Sequence, residues 1–108
     1  MRPVAARLTQ LLRPDDRVYV YHRALTPLQY YAQEGPNWIH GVENPDEPVA
    51  YQDQIAEVLA VPGRVWLVFS FCQRNECDLI LRRAAPLRHL ERVAADTGTE
   101  LYLADVSQ

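Results

Sequence analysis

Apolar positions recur along the chain at two spacings, one suited to helices and one to strands. Val4, Leu8, Leu11 and Leu12 fall at i, i+4, i+7 and i+8, one stripe of an amphipathic helix over residues 3–12. Pro14 stops it, because the residue before a proline disfavours helical geometry. After Asp15-Asp16, the β-branched and aromatic run RVYVY, residues 17–21, predicts a strand. Thr26-Pro27 predicts an N-cap and a first helical position, and the helix LQYYAQE runs on to a stop at Gly35. Prolines 36, 45 and 48 and glycines 35 and 41 then mark a loop, interrupted by a short strand from Trp38 to Val42. Tyr51, Ile55, Val58 and Leu59 restore the helical stripe, which ends near Pro62-Gly63.

Arg64 to Phe71 is apolar at successive positions, as in a strand buried between layers. Asn75 is placed to cap a further helix with the inner stripe Cys77, Ile80, Leu81 and Ala84, closed by Pro86. In the tail a strand, a turn at Asp96–Thr99 and a closing strand Glu100–Ala104 compete with a short helix over residues 87–95. Strands alternating with helices predict one α/β domain over residues 1–108. The expected form is a three-layer sandwich with a mainly parallel sheet and a C-terminal antiparallel hairpin at one edge.

Composition narrows the function classes. The chain has 108 residues, 48% hydrophobic and 23% charged, enough for one core and too apolar for disorder. A net charge of −3 gives no basic face for nucleic acid. All eleven basic residues are arginine, which reads as compositional bias. The longest strongly apolar run, Val65 to Cys72, is far short of the roughly 20 residues of a membrane helix. The N-terminus lacks the apolar core of a signal peptide. Taken alone, these features describe a cytosolic protein.

The candidate chemistry is sparse. Cys72 stands at the carboxyl end of a central strand and Cys77 in the first turn of the next helix, an edge where open α/β sheets bind ligands. A helix N-terminus lowers a thiol's pKa, yet four residues separate this pair where redox motifs have two. Redox dithiol, disulfide, metal half-site and inert core thiols all remain open. The junction YVYHRALTP offers His22 and Arg23 beside a helix N-terminus for an anion, with Ser70 on the neighbouring strand end, but it holds no glycine for close backbone approach. His22, His40 and His89 lack metal-ligand spacing. Tyr30 and Tyr31, with Tyr19, Tyr21 and Trp38, have the composition of a sugar platform, although aromatics at these spacings more often build cores. No catalytic, cofactor or metal motif is apparent.

Two stretches carry a resemblance. LLRPDDRVYVYHRALTPLQYYA (11–32) and PGRVWLVFSF (62–71) resemble the C-terminal extramembrane domain of bacterial polytopic glycosyltransferases, relatives of the dolichyl-phosphate-mannose protein mannosyltransferases. Asp15 departs from the glycine usual there, and Phe71 from a frequent histidine. The resemblance implies that the chain is excised from the C-terminus of a longer membrane protein. Its partner would be the parent's membrane domain, which would hold the catalytic acids and the sugar-lipid site. The domain would be a non-catalytic extracytoplasmic accessory, packing there, shaping the acceptor side or recruiting a partner. Outside the cytoplasm a Cys72–Cys77 disulfide is permitted, and Arg2, Arg7 and Arg13 could approach lipid headgroups. The alternative is a free-standing cytosolic α/β protein with a thiol–disulfide or anion-binding role at the sheet's carboxyl edge.

Overall fold

A computed structural model describes residues 1–105. The elements follow one another as α1 (Arg2–Leu11), β1 (Arg17–Val20), α2 (Leu25–Tyr31), β2 (Trp38–His40), α3 (Val49–Ala60), β3 (Val65–Ser70), α4 (Glu76–Ala84), β4 (His89–Asp96) and β5 (Thr99–Asp105). Among the described residues no helix is long and apolar enough to cross a membrane.

The strands form one sheet in the order β2-β1-β3-β5-β4. Strand β1 pairs in parallel with β2 and β3, whereas β5 lies antiparallel between β3 and β4. The sheet is therefore mixed, and the expected mainly parallel form is corrected. A two-residue connection, Thr97-Gly98, can return a strand only antiparallel. Gly98 takes the left-handed backbone (φ 70°) that such a turn needs. The returning strand then docks against β3 and leaves β4 at the edge, so the hairpin supplies half of the sheet's pairings. In the tail the strand option is taken over the helical one, from His89 to Asp96.

Every residue of β3 is buried, Val65 through Ser70. Its register with β1 sets Tyr19 beside Leu67, and its register with β5 sets Leu67 beside Tyr102 and Ser70 beside Thr99. Side chains alternate along a strand, so Tyr19, Leu67, Phe69 and Tyr102 share one face while Val20, Val68, Ser70 and Thr99 share the other. All four apolar positions read in α3 are buried, as are Val4 and Leu8 of α1. Leu12 lies past the end of α1 and is 40% exposed.

Helix α2 starts at Leu25, ahead of the expected Thr26 cap, with Ala24 at the N-cap and no side-chain cap. A turn from the Ala24 amide to the Tyr21 carbonyl (2.8 Å) sets that start. Pro27 consequently falls in the first turn, where its missing N–H costs no helical bond.

The amino end of the sheet is closed by charge. Asp16, just before β1, accepts two bonds from Arg64 (3.2 and 2.9 Å), one from Trp66 Nε1 (2.8 Å) and one from the Arg13 amide (3.0 Å). Beside it, Arg88 donates to the carbonyls of Leu59, Val61 and Gly63, and Arg17 to those of Val58 and Val61. These guanidiniums satisfy the orphan carbonyls at the end of α3 and complement its dipole.

Candidate functional site at the carboxyl edge of the sheet

The chain leaves β1 toward β2 on one side and reaches β3 on the other, so the strand order reverses between β1 and β3. Open sheets take ligands at the carboxyl ends flanking such a reversal. Here those ends deliver Tyr21 and His22 after β1, and Ser70 as the last residue of β3 with Phe71 and Cys72 after it.

On the Tyr19–Phe69 face the edge is organised by Glu76, the first residue of α4, which is only 4% exposed. Its Oε1 accepts from the Tyr21 hydroxyl and lies 3.1 Å from His22 Nε2. Its Oε2 accepts from the Tyr51 hydroxyl of α3 (3.1 Å). Each tyrosine oxygen in turn accepts a loop amide, Gln73 N at Tyr21 (3.3 Å) and Asn44 N at Tyr51 (3.0 Å). One carboxylate thus ties together the end of β1, the start of α3 and two loops.

The electrostatics follow from these contacts. Burial pushes the Glu76 carboxyl up, but hydrogen bonds from Tyr21, His22 and Tyr51 outweigh it and leave the pKa below its ordinary 4.5. Burial, and then the carboxylate, raise Tyr21. Burial likewise leads the rise at Tyr51. Both oxygens of Glu76 are engaged in a nearly closed space, by Tyr21 and His22 at one and Tyr51 at the other. That geometry suits an anchor better than a general base.

Tyr19, on the same face, is fully buried and raised chiefly by that burial; its hydroxyl has no hydrogen-bond partner among the described residues. Gly41 backs onto it. A Cβ at Gly41 would lie 3.0 Å from the Tyr19 hydroxyl and 2.9 Å from the Val20 carbonyl oxygen, so this close approach needs glycine.

The residues named from the sequence are distributed as follows. His22 is held between Glu76 and Glu43, the latter 3.6 Å from Nδ1. Arg23 is exposed and has no hydrogen bond or ion pair among the described residues. Ser70 is buried on the opposite face, its hydroxyl 2.9 Å from that of Thr99. Cys72 and Cys77 are joined by a disulfide, S–S 2.01 Å, that staples the β3–α4 loop to the first turn of α4. Within that loop Phe71 and Arg74 adopt left-handed backbone, φ 53° and 51°. Among the described residues no group of three or more His, Cys, Asp or Glu is placed to hold a metal ion.

On the Val20–Ser70 face, a pocket of about 430 Å³ opens between α2 and the ends of β3 and β5. Tyr30 and Tyr31 line it with Phe71, whereas Tyr19 and Tyr21 lie in the core.

Glu76, Tyr21 and Tyr51 did not stand out in the sequence as a group. One signal could have found the first: Glu76 and Ile80 are four residues apart, so the inner stripe of α4 extended back one turn ends on a carboxylate. No family model, curated protein or solved structure matches the chain.

Proposed function

We propose that the chain is a non-catalytic accessory domain of a membrane glycosyltransferase, placed on the extracytoplasmic side and packed on the parent's membrane region. The observation that carries this reading is the Cys72–Cys77 disulfide, set at the end of the strand whose sequence bears the resemblance. Structural disulfides persist in oxidising compartments and are rare in the cytosol. The Glu76 carboxylate, buried and bonded at both oxygens, supports a structural edge over a catalytic one. We also infer a three-layer arrangement. Tyr51 and Glu76 bring α3 and α4 to the Tyr21 face, while α2 meets the Ser70–Thr99 face. The exposed Arg2, Arg7 and Arg13 then lie on or just beyond α1, on a surface that could approach lipid headgroups.

A second reading, a free-standing thiol–disulfide protein, draws on the position of the pair at the first turn of α4. An anion site at His22 is disfavoured, because its two carboxylate neighbours repel the ligand. Photo-crosslinking from Arg23, an exposed side chain beside the edge, tests the first reading in intact cells. A crosslink into a membrane-embedded segment of the same polypeptide is the expected result. Recovery of a water-soluble, uncrosslinked chain of this size contradicts it.

A further inference from the structure

We infer that the pocket between α2 and the ends of β3 and β5 is a binding site for a neutral saccharide unit. Three aromatic rings line it. Tyr30 is 81% exposed and Phe71 59%. Tyr31 is partly exposed, stands edge to face with Tyr30 at 4.9 Å, and carries the Arg2 guanidinium 5.6 Å from its ring centre. Thr26 and Thr97 add hydroxyls, and Ser70 and Thr99 reach the same pocket. None of the lining side chains is charged, and the ammonium of Met1, which also lines the pocket, is paired with Asp96 at 3.1 Å.

That combination selects its ligand. A flat aromatic face packs against the C–H face of a pyranose, and side-chain hydroxyls exchange hydrogen bonds with the sugar's own. No lining side chain is cationic and the Met1 ammonium is already paired with Asp96, so a phosphate or carboxylate, whose burial is costly when unpaired, finds no free partner. The volume of about 430 Å³ falls within the range of small-ligand pockets and suits one or two sugar rings.

Phe71 gives an independent observation. A bulky residue in left-handed backbone costs about 1–2 kcal/mol, and exposing its ring forgoes burial as well. Its amide still bonds the Gly98 carbonyl (3.1 Å), and the next residue is locked in the disulfide. The loop thus holds a strained conformation that presents an aromatic ring to solvent at the pocket. Strain of this kind, maintained by surrounding bonds, points to a function for the presented group.

Any link to glycosyl transfer rests on the accessory-domain reading, whereas the pocket's ligand chemistry does not. The test is an amide NMR titration of residues 1–108 with methyl glycosides and disaccharides of neutral hexoses, and in parallel with a hexose phosphate. Binding with Kd on the order of millimolar is expected, with shifts centred on Tyr30, Tyr31, Phe71 and Thr97. Tyr30→Ala alters an exposed ring, and Phe71→Gly keeps the left-handed backbone, so both variants fold; each weakens binding about tenfold. No shifts with any neutral sugar up to about 50 mM, shifts centred elsewhere, or tighter binding of the hexose phosphate would overturn the proposal. Failure of the accessory-domain reading is seen separately, in the Arg23 crosslink.

Discussion

Asp16 and Glu76 are both buried carboxylates with pKa values held below the ordinary range, at opposite ends of the same sheet. Asp16 faces a guanidinium, and its charge is balanced by Arg64 in a two-pronged bond. Glu76 faces two phenols and an imidazole, with no arginine among its hydrogen-bond partners. The amino end is a lock in which charge meets charge and carbonyl meets guanidinium. The carboxyl end is held by hydroxyls, by a disulfide and by left-handed loop residues. The buried guanidinium–carboxylate pair thus stands at the amino end, whereas the pairs that flank the carboxyl edge, His22 with Glu43 and with Glu76, run through an imidazole.

Substitutions separate the two ends by magnitude. Asp16→Ala should cost the most, about 3–5 kcal/mol, because it strands Arg64 and the Trp66 N–H in a mostly buried site. Glu76→Ala should cost less, roughly 2–4 kcal/mol, since the hydroxyls left behind are neutral. Urea unfolding of both variants measures the difference, and an equal loss would erase the distinction between the ends.

Reducing Cys72–Cys77 should cost about 2 kcal/mol, because the closed loop is short, with a sequence separation of 5. The same unfolding curves with and without reductant measure it. A loss as large as that of Asp16→Ala would mean that the disulfide holds more than its own loop.

Acid sharpens the comparison further. Glu76 is depressed in the folded state from 4.5, and Asp16 from 3.8. At Asp16 burial acts upward and is outweighed first by the Arg64 and Trp66 bonds. A depressed carboxyl contributes stability that is present above its unfolded pKa and is lost as pH falls through the folded one. The loss should therefore begin below about pH 4.5 with Glu76 and continue below about pH 3.8 with Asp16. Glu76→Gln should cost about 1 kcal/mol at neutral pH and remove the first part of the acid loss, leaving the second. Stability measured against pH in the two proteins checks this, and superimposable profiles would mean that Glu76 is not ionised in the fold.

Much of the fold was legible where one spacing dominated. The stripe Tyr51, Ile55, Val58, Leu59 and the unbroken run Val65–Ser70 read correctly because burial on one face, or on both, imposes a period that few other structures share. The antiparallel hairpin at one edge was legible, but its share of the sheet was not, because periodicity reports burial and is silent on partner direction. The hairpin's docking beside β3 depends on which strand offers an open edge. The helix start at Leu25 was missed because a backbone turn from Tyr21, invisible to residue type, preceded the Thr26 signal.

The carboxyl edge was legible only in part. His22, Ser70 and the cysteine pair were found from their place at strand ends. Glu76 was passed over because a glutamate in a first helical turn is ordinary on sequence grounds. Its burial comes from Tyr21 and Tyr51, 55 and 25 residues away. The aromatic residues divided in a way their types could not foretell, with Tyr19 and Tyr21 in the core and Tyr30 in the open.

The most direct measurement of the account is the oxidation state of Cys72 and Cys77 in protein taken from its native cell, by thiol alkylation before lysis and mass spectrometry. An extracytoplasmic accessory domain requires the two cysteines to be bonded to each other and resistant to glutathione. Two free thiols, or a pair that cycles near the glutathione potential, would contradict it.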